Sequence, residues 1–491
     1  MAVRRRSRTL RVAKAYDNFS LGLNSLFAPT LLEDAEASDL QNVRLREKGT
    51  VAKRGGTKRL NTGLGLTGGV EGLHALYRKD GTKYLLFKIG TTLYKLDTAT
   101  GSEVAIASTL TAGKRLRMVT YRDLAYCTDG ADPMFTCDGA TTTAVGGTPP
   151  LSSIIAIFFN HVFAVDPATP NRMRFSDLDN PDSWPALSFI DVNSDDGDKI
   201  TAYLVTRGRL YIFKEKSVWQ LLGDSVSNFA LDGPRSSYGA VNQEVVRQVG
   251  DLILFLSRGG VVAFDGAQSV VLSEKIDPDI RLINQQAIDQ ATAYVYRDEY
   301  GLAVPYPPAT TANRVLVFDS LRRAWVRDVG INAGAFAVWS PSGIDTLISG
   351  GAGLPYLYEH EQDDRNDDGQ PIDAWYATKV WDFGYDVSKR GKSLRVYLAV
   401  GPVGSLAIEV DRDRTGFEPL TTIATTSNTA DWDTADWDVA VWDQSAAATP
   451  FRIPYSKRYT HMRVRMRNAN LNENFGLYRL AFYFSVKPPV K

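Results

Sequence analysis

At 491 residues, 44% of them hydrophobic, the chain is long enough for two to four domains with real cores. Lys plus Arg and Asp plus Glu are 56 each, so no global charge points to a nucleic-acid or membrane partner, and local charge must carry any such interaction. No run of eighteen apolar residues occurs, which leaves no helical membrane span, and the two cysteines, Cys127 and Cys137, are too few for a disulfide framework and read as reduced thiols.

The chain opens with MAVRRRSRTLRVAK, a basic arm over 1–14 with Arg4, Arg5, Arg6, Arg8, Arg11 and Lys14 and no apolar segment behind it, so it is not a secretion signal. Two readings stand: a solvated tail, or an arm whose arginines reach an acidic partner surface or DNA phosphate. Residues 15–66 are polar, without sustained strands, and read as an extended lead-in that gains order by packing across the next domain or onto an adjoining subunit. GLGLTG (63–68) matches GxGxxG, but no buried strand precedes it and no helix follows, so it reads as a hinge.

From 67 to 360 the pattern is short strands and turns. Similar strand endings recur as LYKLD, MFTCDG, VFAVD, LYIFK, VVAFDG, VLVFD and LYLYE, closing at 97, 138, 166, 214, 265, 319 and 359. The gaps of 41, 28, 48, 51, 54 and 40 average about 44 residues, a degenerate all-strand period that predicts an irregular β-propeller of five to seven blades. NSDDG (193–197) resembles part of a sialidase Asp-box but lacks its Ser or Thr and its Trp, and reads as a turn.

Residues 361–371 form an acidic linker. Within it Asp364, Asn366 and Asp368 have the spacing that opens a calcium loop, but Trp375 stands where a bidentate Glu is needed, so an Asx-rich turn competes with a calcium site. Residues 372–491 carry longer strands and predict a β-sandwich with Arg395, Arg463, Arg465 and Arg479 among its outward positions. The fold class expected is therefore all-β: an irregular β-propeller with an extended N-terminal segment and a C-terminal β-sandwich domain.

DWDTADWDVAVWDQ (431–444) places Trp432, Trp437 and Trp442 before aspartates every five residues. WD blades repeat at about forty residues, and a step of five builds no single face of a strand or helix, so these tryptophans sit on loops or turns. They either bury against a neighbouring subunit or close the sandwich core. Catalytic motifs are missing: none of the four histidines lies in HExxH, and no GxSxG occurs. The chain reads as a non-enzyme needing no cofactor, with calcium the only ion suggested.

The lead-in YDNFSLGLNSLFAPTLLEDAEASDLQNVRLREKGTVAKRGGTKRL (16–60), through Gly22, Asn24, Pro29, Glu36, Leu40, Asn42, Gly49, Arg54, Gly55 and Gly56, resembles the opening of a family of bacteriophage virion proteins, the tail nozzle or tail tubular β-propeller proteins of short-tailed phages. The turn at 367–369 leading into IDAWYATKVWDFG and the Trp-Asp repeats extend the resemblance. It implies a structural subunit of a ring, hexameric by resemblance, assembled in the host cytoplasm and surrounding the channel through which genomic DNA is ejected. It further implies a head-tail connector or adaptor as partner, other tail proteins or fibres beside it, and duplex DNA passing without sequence recognition. Rival readings are a carbohydrate-binding or glycan-cleaving propeller, which would need two facing carboxylates, and a cellular interaction scaffold.

Overall fold

The computed structural model describes residues 10–46, 49–194, 196–398, 404–425 and 449–486. Two compact units divide them: one joins 58–320 with 329–360, and the other joins the N-terminal residues through Thr57 with 321–328 and 361 onward.

The first unit is a β-propeller of seven sheets. Five have four strands each, beginning with Val70–Tyr77, Arg117–Tyr121, Ile155–Phe158, Ile200–Thr206 and Arg247–Val249. A sixth begins with Thr292–Tyr296 and a seventh with Ala333–Trp339, and each contributes three strands here. The leading strands meet in order around one axis, with the turn Gln243–Val245 bridging Ile200–Thr206 to the fifth and sixth sheets, and the circuit closes where Ala333–Trp339 meets Val70–Tyr77. Such closure leaves only short sheet edges for solvent to find.

The first sheet is covered on both faces, which explains its nearly continuous apolar runs. In Lys83–Ile89, Leu86 joins Leu116, Ala125, Cys127 and Phe135 of the second sheet, whereas Leu85 and Phe87 turn the other way toward Trp339, Ile348 and Leu357 of the seventh. Alternate residues of a strand serve opposite faces, so one strand seals two interfaces. Cys127 and Cys137 are both buried and free. Burial pushes both thiols up.

The seven strand endings used to find the repeat fall one in each sheet. Those at 97, 138, 265, 319 and 359 lie on third strands, but those at 166 and 214 lie on second strands, His161–Val165 and Arg209–Lys214. The short gap of 28 residues comes from that change of strand, whereas the gap of 54 between two third strands, 265 and 319, spans the helical turns of 274–290.

The second unit is a β-sandwich of two sheets. In one, Gly476–Val486 is central, flanked by Lys389–Leu398 on one side and by Leu10–Tyr16 and Val51–Lys53 on the other; Thr449–Pro454 and Arg458–Tyr459 pair with the outer side of Lys389–Leu398. The other runs Glu36–Gln41, Ala374–Thr378, Met462–Asn468, Gly404–Arg412, Phe417–Thr425. Trp381 lies in the core between them, its ring 4.3 Å from Tyr16 and 5.0 Å from Phe482.

Three sequence boundaries are corrected here. Residues 10–59 are extended, but as six strands, and those through Thr57 belong to the sandwich unit. Arg11 and Lys14 therefore lie in the strand Leu10–Tyr16, antiparallel to Gly476–Val486, and not in a free arm. The stretch 361–371 holds the paired strands Asn366–Asp367 and Gln370–Pro371 in place of a linker. Sequence periodicity missed these strands because they are short or polar, and several, such as Leu10–Tyr16, Glu36–Gln41 and Val51–Lys53, take partners hundreds of residues away.

Candidate functional site

Two polar centres are built from residues that elsewhere would face water. The first lies on the propeller axis, in a cavity of about 350 Å³ bordered by His74, Arg115, Arg117, Gln243, Glu244 and Arg247. A 3₁₀ turn, Gln243–Val245, carries Glu244 into it, and Asn242 caps that turn by accepting from Glu244 N at 2.8 Å and Val245 N at 3.2 Å. Arg117 Nε donates to Glu244 Oε1 at 3.0 Å, and Arg247 Nη2 to Oε2 at 3.4 Å. A guanidinium from the second sheet and one from the fifth thus share one carboxylate. Burial alone would raise the Glu244 pKa, but Arg117, Arg247 and Arg115 together outweigh it and bring it to about 2.

Arg115 divides this cavity from a second of about 260 Å³ that it also borders. Its guanidinium donates to the carbonyls of Gln290, Ala291 and Gly334 at 3.1, 3.2 and 3.3 Å. His74 contacts Thr120 Oγ1 at 2.7 Å, and burial lowers its pKa to about 4, so it is neutral at pH 7. Glu71, bordering the second cavity, accepts from Lys88 Nζ and Gly113 N, both at 2.9 Å. The two carboxylates that border the cavities are thus each committed to a cation, and Glu244 stays ionised, so it has no proton to give. The arrangement clasps blades across the axis. RLRM (115–118) held the available signal, because its two-residue alternation runs into the inner strand Arg117–Tyr121, with Arg115 just ahead of it; nothing local marked Glu244.

The second centre, inside the sandwich unit, gathers most of the polar residues through which the lead-in resembles virion proteins. Asn24 Nδ2 donates to Glu36 Oε1 at 3.0 Å, and Glu33 N to Glu36 Oε2 at 3.0 Å. Asn42, at φ +53°, receives Arg54 Nε on Oδ1 at 3.1 Å and donates through Nδ2 to Asp373 O at 2.9 Å. Arg54, 1% exposed, forks onto Asp367 at 2.9 and 2.5 Å, and Arg44 forks onto Asp328 at 2.9 and 2.7 Å. Gly55 and Gly56 are required by close approach: a Cβ on them would stand 2.4 Å from Glu361 Cα and 2.2 Å from Asn366 O. Lys53, fully buried, donates to Asn468 Oδ1 at 2.8 Å, and burial followed by the charge of Arg54 lowers its pKa to about 8. The motif ties three distant segments of chain into one unit.

The calcium candidates are spread around the hairpin of this unit, Asp364 on the turn before it, Asn366 in its first strand and Asp368 on its turn. Asn366 Oδ1 accepts from Gly369 N at 2.7 Å and its Nδ2 donates to Asn472 at 2.6 Å, an Asx turn that commits the side chain. Among the described residues no cluster of three or more His, Cys, Asp or Glu is placed to hold a metal. In the 193–197 turn, Asp196 accepts from the buried Lys214 Nζ at 2.7 and 2.6 Å. Arg4, Arg5, Arg6, Arg8, Trp432, Trp437 and Trp442 lie outside the described residues. No described helix is long and apolar enough to cross a membrane.

No known protein family and no curated protein matches the sequence. Among solved structures, the chain is similar to YCF48 from Cyanidioschyzon merolae, with a TM-score of 0.41 and 11% identity over 62% of this chain and 98% of that one. It is similar as well to YCF48 bound to D1 peptide, with a TM-score of 0.41 and 10% identity over 63% of this chain and 95% of that one. Likeness of this size carries neither activity nor partner across to this chain.

Proposed function

We propose that the chain is a structural virion protein, one subunit of a ring that forms the nozzle or tube of a phage tail through which genomic DNA is ejected. The observation that carries the reading is where the lead-in residues are used. The residues that prompt the resemblance, from Asn24 and Glu36 to Asn42, Arg54, Gly55 and Gly56, are spent on knitting one rigid unit, as an assembly subunit requires. The charged groups bordering the axial cavities hold one another in the same manner.

On this reading the mechanism is geometric. Identical subunits close a ring by symmetry, a head-tail connector docks above, other tail proteins or fibres bind beside it, and duplex DNA passes without base recognition. A hexamer is the stoichiometry that the resemblance implies. The test is electron microscopy of the purified chain, alone and with connector, together with peptide mapping of purified virions. Rings with a central hole and presence of the chain in virions are expected. Its absence from virions, or sugar released from host polysaccharide by the purified chain, would overturn the reading, the latter in favour of a glycan-cleaving propeller.

A further inference from the structure

The two outer faces of the sandwich are both rich in arginine, but only one is neutralised. On the strand Met462–Asn468, Arg463 donates to Asp411 at 2.7 Å, Arg465 to Glu409, and Arg467 to Asp373 at 2.8 Å, each carboxylate lying on a neighbouring strand or at its end. Arg463 and Arg465 also lie over the Phe417 ring, at 4.4 and 4.3 Å. Each of the three guanidinium groups on that face therefore has a carboxylate, although Arg463 Nε is shielded without a partner.

The opposite sheet presents Arg11, Arg390, Arg395, Arg452, Arg458 and Arg479 on its outer side. Register fixes the shared face: Arg395 is paired directly with Arg452 and with Ala481, Arg390 with Arg458 and Ser485, Arg11 with Ser485, and Tyr397 with Arg479. Their alternate neighbours Leu394, Val396, Leu480, Phe482 and Phe484 are buried in the core. None of the six has a carboxylate within ion-pair distance among the described residues, and Arg11, Arg390, Arg452 and Arg458 are exposed. Like charges directly opposite one another weaken a sheet, and here two such pairs adjoin. Arg395 lies 4.6 Å from the Tyr483 ring and Arg479 5.6 Å from that of Tyr397, and the Nε of each is shielded from solvent without a hydrogen-bond partner. The face therefore offers a flat, basic, tyrosine-floored surface suited to carboxylates interleaved with aromatic rings.

The sequence contains a segment of that complementary chemistry. Between Arg414 and Arg452 there is no lysine or arginine, and 431–443 carries Asp431, Asp433, Asp436, Asp438 and Asp443 interleaved with Trp432, Trp437 and Trp442. We infer that the arginine face is a docking surface for residues 431–443 of a second copy of this chain. Asp would take the guanidinium donors in charge-assisted bonds, and Trp would stack on guanidinium planes beside the tyrosines. A patch and its complement at different places on one chain make a head-to-tail contact, which closes a ring if the rotation per subunit closes. Placing the contact between copies rests on the ring reading above; the complementarity itself does not.

The experiment uses three full-length chains: wild type, a face variant carrying Arg395→Glu and Arg452→Glu, and a segment variant carrying Asp433→Asn, Asp438→Asn and Asp443→Asn. Folding of each is checked by circular dichroism, with Arg395→Gln and Arg452→Gln as a milder face variant. A synthetic 429–445 peptide is titrated into each by fluorescence anisotropy, and the two variants are mixed in an analytical ultracentrifuge. The peptide should bind the segment variant, bind the face variant at least roughly tenfold more weakly, and weaken as salt screens the contact. Mixing should yield a heterodimer, because one intact face then meets one intact segment. Failure of the peptide to bind the segment variant, equal binding to both, tighter binding of duplex DNA than of peptide to that face, or no heterodimer on mixing would each overturn the inference. A heterodimer and peptide binding without rings on micrographs would retain it and sink the ring reading instead.

Discussion

The propeller and the sandwich unit are both built from antiparallel strands, but they are held together by different means. Most propeller strands pair with the next strand in sequence, and their interfaces are apolar, as where Leu86 meets Phe135 or Phe163 meets Phe175. The sandwich unit joins Leu10–Tyr16 to Gly476–Val486 and closes its junction with buried charge, Arg54 on Asp367 and Arg44 on Asp328. An apolar interface tolerates acid and salt and suffers when volume is removed. A buried ionic junction tolerates little loss of a partner, because the remaining charge has left water for nothing in return.

The largest effects expected from breaking that comparison begin at the junction. Arg54→Met should lower the stability of the sandwich unit by about 3 kcal/mol, because the half-buried Asp367 loses its forked donor and keeps only the Thr57 hydroxyl. Differential scanning calorimetry should show that unit's transition moving down while the propeller's holds; equal movement of both would mean that the units unfold as one. Next, Leu86→Ala should cost about 3 kcal/mol through a cavity between the first and second sheets, with the opposite pattern of transitions.

A smaller effect, which sharpens the comparison, comes from the ionic clasp that Glu244 forms inside the propeller. Glu244→Gln should cost about 2 kcal/mol, since Arg117 and Arg247 lose a charged acceptor. The wild-type carboxylate has a folded pKa of about 2, below the usual value of 4.5, so its contribution is complete above pH 4.5 and is lost as pH falls toward 2. His74, neutral with a folded pKa of about 4 against 6.5, likewise favours the fold fully above pH 6.5, with the benefit lost as pH falls toward 4. Acid titration of the propeller transition should accordingly show loss beginning below pH 6.5 and steepening below 4.5, and the lower step should be smaller in the Glu244→Gln chain, where other propeller carboxylates held low, such as Asp191 and Asp196, still contribute to it. The smallest effect on stability is expected from removing residues 1–9, which should leave both transitions unmoved. On the virion reading, the same deletion should lower incorporation into particles, most at low salt, where the arm's charges are least screened, measured as copy number at two ionic strengths. Unchanged occupancy at both would make the arm a solvated tail.

The sequence alone determined the propeller, because its evidence is local: apolar strand endings followed by Asp-Gly or Asp turns, repeated once per blade, as at LYKLD and VVAFDG. It also marked the outward arginines of the sandwich through two-residue alternation, as in MRVRMRN. What only the tertiary structure decided is which distant segments share a sheet and which charges find partners. Arg463 and Arg395 look alike in sequence, yet one meets Asp411 and the other faces Arg452 across the strand pair. EASDLQ shows little strand pattern, yet becomes one when it pairs with Ala374–Thr378. Strand periodicity is written in neighbouring residues, whereas register and charge pairing are set by chain contacts across hundreds of residues, to which no local pattern of side chains is bound.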